Sequence, residues 1–145
     1  MSPTGSVAQK WPGNLLDAGF VPVSRIFLRN YFRLEPKLSD FEALFLINLV
    51  DYVWSDRRAF PGWQRLSEDL GIPVSRVTDT LEELQMKGFI SFVSVKDNKG
   101  RAYSLEQFYL KLEELIKSGK AWTGKDSSGA RNAPTDDTTS TEIEY

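Results

Sequence analysis

The sequence has neither cysteine nor histidine among its 145 residues. Without thiols there is no disulfide, no thiolate nucleophile and no cysteine-ligated zinc, and without imidazole the commonest metal ligand and general base are missing. Catalytic triads built on histidine are excluded, and no glycine-rich phosphate loop or carboxylate cluster offers another chemistry. The chain is therefore expected not to be an enzyme and to need no metal or cofactor. No apolar run reaches the roughly 18 residues needed to span a bilayer, because the stretch beginning at Leu44 is broken by Asn48 and Asp51. The first ten residues lack a basic segment followed by an apolar one, so a soluble cytoplasmic protein is expected. A surplus of positive charge is missing too, with 18 Lys and Arg against 20 Asp and Glu. Residues 20–117 hold 14 basic and 14 acidic side chains, and residues 119–145 hold 3 against 5. Any binding to phosphate must rest on local clusters.

What is present is organised around residues 60–105. Pro61 can open a helix carrying Leu66 and Leu70, and Gly71 can end it in the left-handed conformation. A second helix over 74–87 places Val74, Val77, Leu81 and Leu84 on one stripe. After Gly88, Phe89, Phe92, Val93 and Val95 read as strand, 97–100 as turn, and 102–105 as a returning strand. The order is that of a winged helix-turn-helix. The chain length suits one domain, assigned to 20–118, with a flexible arm over 1–19 and a disordered tail over 119–145. The fold class is mainly α, a winged helix-turn-helix with extra amino- and carboxy-terminal helices and a two-stranded β wing. Its core is expected to hold Leu44, Leu49, Val53, Leu66, Leu70, Val77, Leu81, Leu84 and Phe89.

The stretches GFVPVSRIFLRNYFRLEPKLSDFEALFLINLVDYVW, FPGWQRLSEDLGIPVSRVTDTLEELQMKGFISF and RAYSLEQFYLKL together resemble the amino-terminal winged-helix domain of the DnaD family of bacterial replication proteins. They are also similar to single-domain helix-turn-helix proteins of plasmids and phages. The resemblance implies a part in replication initiation or transcriptional regulation, with DNA, and other replication or regulatory proteins, as partners. The family's second domain, important there for DNA binding, has no counterpart in these residues, so only the role of the amino-terminal domain is implied.

The flanking segments carry their own signals. Over 23–34 a helical pattern puts Val23, Phe27, Tyr31 and Leu34 on one side and Arg25, Arg29 and Arg33 on another, four apart. Those arginines either track phosphate or form a solvated face paired with acidic neighbours, the commoner arrangement. Leu28 and Phe32 beside them hint at a partner surface. Ser39 and Glu42 have capping-box spacing ahead of a helix apolar on most of its circumference. Residues 55–59 read as a charged loop. Leu105, Phe108, Leu112, Leu115 and Ile116 make a last stripe that covers the core or another subunit.

These patterns nominate Arg57, Arg58, Ser75, Arg76, Thr80, Lys96, Lys99 and Arg101 for DNA. Ser75, Arg76 and Thr80 would face the major groove, and the remaining cations the backbone. Asp79, Glu82 and Glu83 on the same helix repel phosphate, so either its contacts are few and specific or it faces protein. Leu28, Phe32, Phe108 and Leu112 are the expected seam of a homodimer. The leading function is a DNA-binding winged helix, and the alternative is a winged helix used for protein assembly.

Overall fold

The computed structural model describes residues 7–53, 57–94 and 101–124. The expected strand end at Val95 and the turn over 97–100 lie outside these residues. A short helix, α1 (Val7–Lys10), opens the described chain and is followed by a 3-10 turn at Gly13–Leu16. Trp11, Leu15 and Phe20 are all exposed here.

Helix α2 spans Arg25–Asn30, with the Ser24 hydroxyl accepting the Ile26 amide at 3.1 Å as an N-cap. It is shorter than the expected 23–34. The reason lies at Asn30, whose amide nitrogen donates to Ile26 O at 2.8 Å, a local bond of the kind by which Asn competes with helix geometry. The backbone there leaves helical angles and continues as a 3-10 turn, Tyr31–Arg33, before Leu34 turns extended. Helix α3 (Asp40–Val50) starts with the predicted capping box: Ser39 Oγ accepts from the Glu42 amide at 3.0 Å, and Glu42 Oε1 accepts from the Ser39 amide at 2.9 Å. Phe45, Leu46 and Leu49 are fully buried, whereas Leu44, expected in the core, is half exposed. An all-round apolar helix cannot be covered on every side by so few partners, and Leu44 lies on the uncovered side.

Strand β1 (Arg58–Ala59) falls where a loop is expected. Its fully buried Ala59 pairs with Tyr103, and Arg58 with Ser104. Helix α4 (Trp63–Leu70) begins after Gly62 rather than at Pro61 and ends at Gly71, which adopts φ 67° as the sequence requires. Helix α5 (Val74–Met86) follows at once. Strands β2 (Ser91–Ser94) and β3 (Arg101–Ser104) pair antiparallel with Phe92 opposite Tyr103. Together with β1 they form a three-stranded sheet in the order β1-β3-β2, so the expected two-stranded ribbon is corrected to a sheet with a third, very short strand. Helix α6 (Glu106–Lys117) then returns over the core. Among the described residues no helix is long and apolar enough to cross a membrane.

One core joins these elements through Leu49, Leu66, Val77, Leu81, Leu84 and Phe89, with Val53 and Leu70 partly buried against it. The rings of Phe27 on α2 and Phe108 on α6 meet edge to face at 5.4 Å, which fastens both flanking helices to it. A second tie is ionic. Lys87, just past α5, donates from Nζ to Glu42 Oε1 at 2.7 Å and to Lys37 O at 2.9 Å. Burial works to raise the Glu42 pKa, but Lys87 and the Ser39 bonds outweigh it, and the group ends below its ordinary 4.5.

Leu81→Ala should cost about 2 to 5 kcal/mol in urea unfolding, and Leu44→Ala, on the surface, roughly 0.5 kcal/mol or less; equal losses would show that the two faces are misassigned. Because Glu42 is depressed when folded, its contribution to stability is complete above the ordinary value of 4.5 and is lost as pH falls through the lower folded pKa. Glu42→Gln should lower stability at neutral pH by roughly 1 to 3 kcal/mol and flatten the acid limb of the stability curve. An unchanged acid limb in the variant would remove the ion pair from the account.

Candidate nucleic-acid interface

Helix α5 presents its residues in a phase slightly turned from the one the sequence predicts. Its buried positions are Val77, Thr80, Leu81 and Leu84, while Val74 is only half-buried. Thr80 is therefore not a groove contact: it is 8% exposed, and its hydroxyl donates to Arg76 O at 2.7 Å. A hydroxyl can occupy this inward position because the preceding helical turn supplies an acceptor. Ser75 and Arg76 are exposed as expected, together with Asp79, Glu82 and Glu83. The Arg76 guanidinium lies 4.2 Å above the Phe41 ring centroid, a cation-π contact that holds it at the junction of α5 and α3.

The backbone-contacting cations fare unevenly. Arg57 adopts φ 66° and donates from a guanidinium nitrogen to the Glu106 carboxylate at 3.4 Å while lying 5.3 Å over the Tyr109 ring. This half-exposed pair ties Arg57 to α6. Burial raises the Tyr109 pKa, Arg57 opposes that shift and Glu106 adds to it. Arg58 is half-buried in β1, where it has interactions of its own. Lys96 and Lys99 lie outside the described residues, and for Arg101 only its backbone pairing with Ser94 is described. On the far side of α4, Tyr52 donates its hydroxyl to Asp69. The Tyr52 pKa is raised by burial first and then by that carboxylate, and Arg65 nearby lowers it.

The expected dimer seam separates into two halves. Phe108 and Leu112 are 3% and 9% exposed and pack inside this chain, so they are corrected to core residues. Of the stripe on α6, Leu105, Phe108 and Leu112 are buried within this chain, and Ile116 stays 38% exposed. Leu28 and Phe32 remain on the surface at 45% and 48% exposure. Between α2, α3 and α6 runs a groove of 470 Å³ lined mainly by apolar side chains, among them Val23, Ile26, Ile47, Val50 and Ile116, with Arg57 and Glu113 at its edge.

Sequence reasoning missed a contact that reshapes the surface of α2. The side-chain oxygen of the fully buried Asn30 accepts from the Trp122 amide at 2.9 Å, and its nitrogen donates to Trp122 O at 2.9 Å. The backbone at 122 is thus gripped from both sides, beyond the boundary expected at 118. Arg33 donates to the same Asn30 oxygen at 2.6 Å. A lone Trp in a polar segment was the only signal for this contact.

These features set the comparison with known proteins. The family model described as the DnaD N-terminal domain matches residues 23–122. The chain belongs to this family. The match ends at Trp122, the residue gripped by Asn30. The crystal structure of the N-terminal domain of DnaD protein from Geobacillus kaustophilus HTA426 has a similar fold, with a TM-score of 0.56 and 20% sequence identity over 74% of this chain and 88% of that one. No curated protein matches the sequence. In this DnaD amino-terminal domain, Asn30→Ala should cost roughly 1 to 3 kcal/mol, the scale of leaving buried polar groups unpaired. Hydrogen exchange should show the Trp122 amide losing protection while α5 keeps its own. Retained protection at 122 would contradict the clasp.

Proposed function

We propose that the chain is a non-catalytic, DNA-binding winged-helix component of replication initiation, working in the cytoplasm. Membership of the DnaD amino-terminal family supplies the replication setting. The order α4, tight turn, α5 and antiparallel β2 and β3 is the arrangement in which a second helix enters the major groove and a hairpin reaches the flanking backbone. The observation that carries the reading is the exposed first turn of α5, where Ser75 and Arg76 stand outward and Phe41 orients the guanidinium. An arginine so placed can donate two hydrogen bonds to guanine. Because Asp79, Glu82 and Glu83 share the outer face, binding rests on few contacts and is weak against arbitrary sequence.

A second reading is favoured by the apolar groove and by the engagement of Arg57 with Glu106. In it the same fold serves protein assembly, with a second copy of the chain as partner. Duplex titrations at about 50 and 200 mM salt separate the two, since phosphate contacts impose steep salt dependence. Binding that weakens sharply with salt, together with Arg76→Gln losing roughly 1 to 3 kcal/mol of discrimination between sites, would support the DNA reading. A parent chain that ignores duplex at the lower salt, yet exceeds monomer mass in sedimentation equilibrium, would replace it with assembly.

A further inference from the structure

Arg25, Arg29 and Arg33 are all exposed, and among the described residues none has a carboxylate within ion-pair distance. The sequence favours a solvated face neutralised by acidic neighbours, and for Arg29 and Arg33 the structure supplies aromatic rings in their place. The Arg29 guanidinium lies 5.7 Å over the Trp122 ring, and that of Arg33 lies 4.8 Å over Phe32. Arg33 is fixed further by bonds to Arg29 O at 3.0 Å and to Asn30. Tyr31, between Arg29 and Arg33 in the chain, donates its hydroxyl to the Asp40 carboxylate at 2.8 Å. Beside the arginines, Leu28 and Phe32 are exposed.

We propose that the outer face of α2 and the 3-10 turn after it is a binding site for single-stranded nucleic acid. Arg25 and Arg29, four residues apart on α2, advance by about 6 Å along the helix, an interval of the same order as successive phosphates on an extended strand, and Arg33 follows on the 3-10 turn. Aromatic rings leave the charges of Arg29 and Arg33 available, whereas carboxylates would cancel them. A polyanion is therefore the complementary partner. Phe32 and the guanidinium plane on it form a stacking surface, and only an unstacked base can present its face to such a surface. A duplex offers base edges and phosphates, so it could use the charges here but not the ring. Trp122, clasped by Asn30, orients Arg29 and acts as a positioning residue. This site lies on a different helix from the duplex-reading turn of α5 and does not depend on it.

The test is fluorescence anisotropy of the full chain with labelled oligothymidylate of about 16 nucleotides. Arg25→Gln with Arg29→Gln should weaken binding at least tenfold and reduce the salt slope by roughly 1.4, at about 0.7 for each phosphate no longer neutralised. Phe32→Ala should keep the parent's behaviour toward duplex, which cannot use the ring, so this site and the α5 reading can fail separately. Phe32→Ala should weaken oligothymidylate binding about tenfold with the salt slope unchanged, as expected for base stacking, and Phe32→Trp should restore it. The proposal is overturned if the parent does not bind the oligomer at about 50 mM salt, or if the double variant keeps parental affinity. It is equally overturned if Phe32→Ala lowers the sedimentation mass while leaving oligomer affinity intact, which would assign the face to a second copy of the chain.

Discussion

Glu42 and Lys87 form the contact on which the arrangement of the helices depends. One carboxylate oxygen accepts from the Ser39 amide and from Lys87 Nζ, and the same ammonium reaches Lys37 O. The start of α3, the segment before it and the end of α5 are thereby held at a single point. Each charge also sits where a helix dipole favours it, the glutamate in the first turn of α3 and the lysine past the last turn of α5. A nearly buried pair of this kind is stabilising only while both partners are present, because either one alone would be a desolvated charge. Packing then fills in the rest: with α3 and α5 aligned, Phe41 lies under Arg76, and the core residues of α4, α5 and the sheet close around Phe89.

The way the cations are held divides the surface into regions of different local charge. Arg57 and Lys87 face carboxylates and contribute to structure. Arg29, Arg33 and Arg76 face rings, which orient a guanidinium without neutralising it. In a domain whose acidic and basic residues balance, this is how local positive potential survives. Net charge is therefore a poor guide to the local potential, which depends on the cations whose partners are not anions.

Much of the fold is legible in particular residues. The capping box at Ser39 and Glu42 and the left-handed Gly71 appear as expected, because each depends on a few adjacent residues. The stripe of α5 is nearly right, but Thr80 is misplaced outward, since hydrophobic periodicity does not count a hydroxyl that can bond to its own helix. The 3-10 turn after Asn30 breaks a good helical pattern because that side chain bonds back to Ile26 O, while its other bonds reach Trp122, 92 residues away. Phe108 and Leu112 illustrate a similar limit. An apolar stripe shows that something must cover it, but not whether the cover comes from the same chain.

The sequence by itself determined the local order of helix, turn, helix and strand, the absence of thiol and imidazole chemistry, and which helix faces are apolar, because these follow from residue type and spacing. Tertiary structure alone decided which charges are cancelled and which are left available. Arg57 meets Glu106 across 49 positions and Asn30 grips Trp122 across 92, and no local pattern carries such information. The pairing of a cation is set by where distant segments are brought by the packing of the core.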